Sequence, residues 1–249
     1  MSQIQLLEEL SLNAWPALQQ ILYDGWLLRF AEGYTKRANS VNVVYPGRRN
    51  LREKVTRCEQ IYRRKNLTPI FRITPLAPPD LDRLLANSGY GKRDLVSVRV
   101  RDLSDAQFIT PSKQASFHSE NWLTQEWLDH FVHISHLPLT EWELLAAILQ
   151  NIAAQTCFAF LVKNAQVVSC GIGVLEKHSL GLFDIITAQS QRRQGYAQEL
   201  IAGMIAWGKN HGATQAYLQV VMENKPALEL YRQLGFEEVY QYYYRIKQQ

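Results

Sequence analysis

The stretch Asp184-Ile185-Ile186-Thr187, followed shortly by Arg192-Arg193-Gln194-Gly195-Tyr196-Ala197, decides how this 249-residue chain is read. It runs from a strand over residues 182–187 through a tight turn into a helix expected over 195–210. Such a junction builds an anion site. The first N–H groups of a helix have no partner within it, and the aligned peptide dipoles add partial positive charge there. Gly195 and the small Ala197 let the backbone come close to a pyrophosphate, and Arg192 and Arg193 add charge. Taken alone, one glycine in a basic turn fits an ordinary helix start with solvated arginines equally well.

Outward from this junction the elements alternate. In helix 195–210, Ala197, Leu200, Ile201, Met204 and Ile205 form one apolar face, and Gly212 supplies a stop after His211. A strand over 216–221 follows, so strand, glycine-bearing turn, amphipathic helix and strand make a crossover of βαβ type, and the sheet is expected to be mixed. Asn224 comes next, where an amide can bond an extended ligand, with Pro226 at the expected first position of a helix over 226–234. That helix carries Tyr231 and ends at Leu234-Gly235-Phe236, before a strand over 239–246. Upstream, apolar spacing predicts helices over 122–135 and 140–153, then strands over 157–162 and 167–175 joined by a turn at Lys163-Asn164-Ala165.

Residues from about 120 to 246 resemble the GNAT superfamily of acyl-CoA-dependent N-acetyltransferases. Arg192, Gly195 and Ala197 match its pyrophosphate pattern, Q/R-x-x-G-x-G/A. Asn224, Tyr231 and Leu234-Gly235-Phe236 match its later Asn, Tyr and Leu-Gly-Phe corner. The resemblance implies acetyl-CoA as co-substrate, no metal, and an amine on a small molecule or peptide as acceptor. It also implies roles for individual residues. Ile185, Ile186 and Thr187 would pair their backbone with the pantetheine arm. Arg192, Arg193, Gln194, Gly195, Tyr196, Ala197 and Gln198 would line the pyrophosphate. Asn224 would meet the pantetheine or the rest of the cofactor, and Tyr231 would lie near the CoA sulfur as general acid. A phenol with a pKa of ~10 is protonated at neutral pH, which suits that role.

The base is less plainly marked. Many relatives carry a Glu five residues before the Asn, and here that position is Gln219, which cannot take a proton at neutral pH. Asp184 and Glu223 are carboxylates close to the motif in sequence. Either could accept a proton from an incoming ammonium through water, and either could equally be a surface or capping residue. Asp184 is the candidate carried forward. Arg193 and Thr187 depart from the family pattern, which commonly has glycine and valine there.

The N-terminal half echoes this segment. Leu84-Leu85-Ala86-Asn87-Ser88-Gly89-Tyr90 can be laid over Leu230-Tyr231-Arg232-Gln233-Leu234-Gly235-Phe236, and each is followed by a β-rich run. A helix over 54–65 and a strand over 69–73 precede the first copy in matching order. This half has Leu85 where the second has Tyr231 and lacks an Arg-x-x-Gly-x-Ala counterpart, so it is not expected to bind acetyl-CoA in the same way. The fold expected is α+β: tandem GNAT-like domains, each a mixed, mostly antiparallel sheet flanked by helices. A degenerate lobe spans 1–108 and a catalytic lobe 109–249, with a boundary near 105–118 around Thr110-Pro111-Ser112-Lys113. Arg29, Arg37 and Asn39 could shape an acceptor pocket or hold strands together as buried polar groups.

Composition sets the remaining limits. With 47% hydrophobic and 20% charged residues, the chain can bury real cores and does not read as disordered. No leader-like start and no stretch near ~20 apolar residues is visible, so the expected location is the cytoplasm, with no membrane partner. Cys58, Cys157 and Cys170 lack metal or disulfide spacing and read as buried thiols. His130, His133 and His136 drift around a helix and do not read as a metal site. Trp122, Trp127 and Trp142 are expected to pack helices on the substrate side. Charge is uneven: residues 36–65 hold ten Lys/Arg and two acids, while 102–160 hold seven acids and one Lys. Attraction between two parts of one protein is the favoured explanation, and nucleic acid is not an expected partner. The alternative function is a module that binds acyl-CoA, or nucleic acid through the basic segment, without turnover. Oligomeric state is left open, a homodimer included.

Overall fold

The computed structural model describes residues 2–104 and 115–247, so most of the predicted boundary, with Thr110-Pro111-Ser112-Lys113, lies outside the described residues. In chain order the elements are α1 (Gln3–Ala14), β1 (Gln19–Tyr23), β2 (Trp26–Phe30), β3 (Val41–Val43), α2 (Leu51–Arg64), β4 (Ile70–Ile73), α3 (Pro79–Asn87) and β5 (Tyr90–Asp102). There follow β6 (Ser116–Glu120), α4 (Gln125–Ser135), α5 (Leu139–Gln150), β7 (Gln155–Lys163), β8 (Gln166–Glu176), β9 (Ser179–Thr187), α6 (Tyr196–Asn210), β10 (Gln215–Val221), α7 (Lys225–Gln233) and β11 (Glu237–Lys247). They form two compact units. The first takes Met1–Val98, Val220–Asn224 and Glu238–Gln249; the second takes Arg99–Gln219 and Lys225–Glu237.

In the first unit the strands lie in the order β1-β2-β3-β4-β11. The pairs β1–β2, β2–β3 and β4–β11 are antiparallel, whereas β3 and β4 are parallel with α2 as their crossover. Helix α2 forms because Asn50 caps it, accepting from the N–H of Arg52 (2.9 Å) and Glu53 (3.4 Å). Its inner face, Val55, Cys58 and Tyr62, packs with Trp26, Leu28, Val41 and Phe71 of the sheet and with Leu81 and Leu85 of α3. Each such side chain contributes about 1.5–3 kcal/mol when fully buried. Arg29 and Asn39 take the structural one of their two readings. Arg29 donates to the carbonyls of Arg37 (2.8 Å), Leu12 (3.2 Å) and Trp15. Asn39 accepts from the N–H of Ala31 (2.8 Å) and Gly33 (3.0 Å), and the Arg37 guanidinium sits 4.0 Å over the Trp15 ring.

The second unit repeats the plan, with strand order β10-β9-β8-β7-β6. Neighbours from β6 to β9 are antiparallel, and β9 and β10 are parallel with α6 crossing between them. Leu200, Ile201, Met204 and Ile205 of α6 are buried, as the apolar face predicts. The helix stops at Gly212, which takes the left-handed φ of 89° and lets Ala213 N–H reach the Gly208 carbonyl at 2.9 Å. The α+β fold class is therefore the architecture seen, a mixed sheet flanked by helices, with seven α-helices among the described residues.

The internal echo has a structural basis. Gly89 after α3 and Gly235 after α7 both adopt positive φ, 82° and 76°, and both donate to the carbonyl three residues back. Two expectations need correction. Trp122 is 66% exposed and precedes α4, because Thr124 caps that helix by accepting from Trp127 N–H at 3.1 Å; Trp127 is fully buried and Trp142 half-buried. Pro226 is the second residue of α7, after Lys225. All three cysteines are buried and unbridged, as read. Among the described residues no helix is long and apolar enough to cross a membrane, and no group of three or more His, Cys, Asp or Glu could hold a metal ion.

Candidate active site

Strand β9 is where the second unit departs from a regular sheet. Phe183 pairs with Ile172 and Ile186 with Cys170, so Asp184 and Ile185 together face Gly171 alone. That is a β-bulge, with Asp184 at a φ of 47°. Gly171 makes it fit, because a Cβ there would stand 2.6 Å from Ile185 Cδ1. Ser169 secures the far side: its hydroxyl donates to the Ile186 carbonyl at 2.7 Å and lies 3.2 Å from Thr187 Oγ1. Parallel pairing with β10 runs from Ser179↔Gln215 to Leu182↔Leu218 and stops there, while β9 continues to Thr187. The two strands part at the bulge, and Ile185, Ile186 and Thr187, all half-buried, follow it.

From Thr187 the chain makes one 3₁₀ turn, Gln189–Gln191, and enters α6. Gly195 is the N-cap, in left-handed conformation, and no side chain caps the helix. The first helical bond, Glu199 N–H to the Gly195 carbonyl at 3.0 Å, leaves the N–H groups of Tyr196, Ala197 and Gln198 outside the helical ladder. A Cβ added to Gly195 would meet nothing within 4 Å, so the mouth of the turn is open space. Arg192, Arg193 and Gln194 are exposed around it, and Arg192 Nε donates back to the Thr187 carbonyl at 3.4 Å. Tyr196 offers only backbone, since its ring is buried and its hydroxyl accepts from Lys163 Nζ.

Arg193 explains its own departure from the family pattern. It holds a φ of 62°, a conformation glycine adopts freely and a residue with a Cβ adopts only at a cost. Arg193→Gly should therefore stabilise the fold by about 0.5–1 kcal/mol, raising Tm by roughly 1–4 °C in thermal unfolding. A lower Tm would mean that the guanidinium itself holds the turn.

Tyr231 of α7 is buried, its ring edge-on to Phe236 at 6.0 Å. Burial, and then the charge of Asp184, push its pKa up to about 12. The bulge carboxylate and the phenol are thus brought within electrostatic reach of each other. Gln219 is half-buried in β10. Glu223 and Asn224 lie in the first unit, where both are exposed and Asn224 N–H donates to the Val221 carbonyl at 3.0 Å. Burial holds the thiols of Cys157 and Cys170 up at about 12, which removes them as thiolate nucleophiles. Of the three histidines, His130 lies 3.6 Å from Glu126 and packs on Phe160.

Splayed parallel strands, a bulge and an uncapped helix start are the marks of an acyltransferase of GNAT type. The chain belongs to the family described as "Probable histone acetyltransferase Rv0428c C-terminal", whose model matches residues 1–245. It is 28% identical over 249 residues to the "Uncharacterized N-acetyltransferase YobR" of Bacillus subtilis strain 168, covering 99% of this chain and 100% of that one. It is 27% identical over 221 residues to the "Probable histone acetyltransferase Rv0428c" of Mycobacterium tuberculosis, covering 87% of this chain and 66% of that one. Among solved structures it is similar in fold to a GCN5-related N-acetyltransferase from Kribbella flavida, with TM-score 0.76 at 14% identity, covering 100% and 97% of the two chains. A tandem GNAT protein from the clavulanic acid biosynthesis pathway has TM-score 0.69 at 12% identity, covering 89% of this chain and 77% of that one.

Proposed function

We propose that the protein transfers an acetyl group from acetyl-CoA to a primary amine by direct attack within a ternary complex. The observation that carries this reading is the uncapped start of α6 facing open space at Gly195, beside the end of β9 that has parted from β10. The residues present fit a diphosphate: free N–H groups, a helix dipole and exposed Arg192 and Arg193. Ile185 to Thr187 offer backbone to an extended pantetheine arm.

Acetyl-CoA would supply the acetyl group as an activated thioester. Asp184 takes a proton from the incoming ammonium, directly or through water, leaving a neutral amine. The amine nitrogen attacks the thioester carbon, the C–S bond breaks, and Tyr231 gives its proton to the departing sulfur. The second proton of the new amide nitrogen restores the phenol, so one proton is released per turnover. Cys157 and Cys170, held as neutral thiols, favour this route over an acyl-cysteine intermediate. Isothermal titration should show acetyl-CoA binding, with Kd on the order of 1 μM–1 mM. A thiol-release assay with polyamines, amino acids and peptide N-termini should find an acceptor. A folded protein that binds no acetyl-CoA would overturn the proposal.

A further inference from the structure

The sheet of the first unit packs an apolar face on α2 and α3, and its other face carries a polar row beside Glu8 of α1. On that polar face Asn42 of β3 stands opposite Arg72 of β4, and Arg72 opposite Tyr244 of β11, in one cross-strand row. Arg72 is 4% exposed. Its Nη1 donates to Glu8 of α1, which also accepts from the Tyr240 hydroxyl, and its guanidinium lies 3.8 Å over the Tyr242 ring. The other edge of the guanidinium, Nε with Nη2, has no hydrogen-bond partner among the described residues, nor have Asn42 Oδ1 and Arg29 Nε. Asn42 is oriented by its Nδ2, which donates to the Ser40 carbonyl at 2.8 Å and so identifies Oδ1 as the orphan acceptor.

Charge sharpens the picture. Two buried guanidiniums, Arg29 and Arg72, feel each other's charge, and one buried carboxylate, Glu8, pairs with Arg72. Burial and the neighbouring Arg72 charge lower Arg29 only to about 10, so it stays charged at neutral pH. Tyr240 and Tyr244 are raised by burial and stay neutral. Orphaned buried donors and an uncompensated buried charge are each costly, and a side-on guanidinium edge fits two coplanar oxygens.

We propose that this cluster binds a small monovalent oxyanion carrying its own O–H, of which hydrogencarbonate is the smallest. Two of its oxygens meet Arg72 Nε and Nη2, its O–H donates to Asn42 Oδ1, and its charge balances Arg29, Arg72 and Glu8. The site stands apart from the transfer reading and does not depend on it. The test is thermal unfolding of the full chain at fixed ionic strength in sodium chloride, nitrate, acetate and hydrogencarbonate. Hydrogencarbonate at about a hundred times its Kd should raise Tm by roughly 5 °C, acetate by less, and chloride not at all. Asn42→Asp sets a carboxylate opposite Arg72 and should abolish the response while raising the starting Tm. No response in the wild type, an equal response to every salt, or a response retained in Asn42→Asp would overturn the proposal in favour of bridging water.

Discussion

Replacing Tyr231 by Phe should lower kcat by about 10²–10³-fold while acetyl-CoA affinity stays within about twofold, the signature of losing a general acid without losing the binding site. The ring packs against Phe236, and that contact survives in Phe, so the fold is not expected to suffer. The phenol works as an acid only while protonated. Its pKa lies up at about 12, above the ordinary 10.0, so activity that needs this proton should persist through pH 10 and fall only as pH rises towards 12. Asp184 contributes to that rise, so Asp184→Asn should move the alkaline limb of the profile to lower pH as well as slow the reaction. Undiminished kcat in Tyr231→Phe, with an unchanged alkaline limb, would make the residue a core aromatic and would leave protonation of the leaving sulfur to another group.

What the sequence tells and withholds follows from the range of the interactions involved. The α6 junction is legible because its parts are local: Gly195 needs positive φ, the apolar face repeats with helical period, and Gly212 ends the helix. The bulge is not legible, since it depends on a register between β8 and β9 that places Asp184 and Ile185 against a glycine thirteen and fourteen residues earlier. Its only local trace is the unusual pairing of Gly171 and Gly173 inside a strand. Arg193 misleads for the opposite reason, because a residue that prefers negative φ occupies a turn that fixes it at 62°. Trp122 shows apolar character without burial, a choice made by the Thr124 cap. The Glu8–Arg72–Tyr240 cluster joins an N-terminal helix to the last strand, Glu8 and Tyr240 being 232 positions apart, and nothing near any of the three announces the others.

Gly195→Glu should reduce acetyl-CoA affinity at least about 100-fold in a protein that remains folded. Two effects act on the fold and largely oppose each other. A side chain at a φ of 86° costs about 1–2 kcal/mol, whereas a carboxylate at a helix start recovers about 0.3–1 kcal/mol from the dipole. There is also room for the new Cβ, with no atom within 4 Å of it, so Tm should fall by only a few degrees. The ligand meets a different balance. A fixed negative charge about 5 Å from a diphosphate, at an effective dielectric of about 20, opposes it by roughly 3 kcal/mol per phosphate charge, and the same carboxylate occupies the N–H groups the diphosphate would use. Gly195→Ala separates strain from charge, since it carries the same backbone cost and no carboxylate, and should keep most of the affinity. Titration calorimetry on the three proteins, with circular dichroism to verify folding, decides the matter. If Gly195→Glu binds as the wild type does, the pyrophosphate does not sit at the start of α6, and the assignment of Arg192 through Gln198 falls with it.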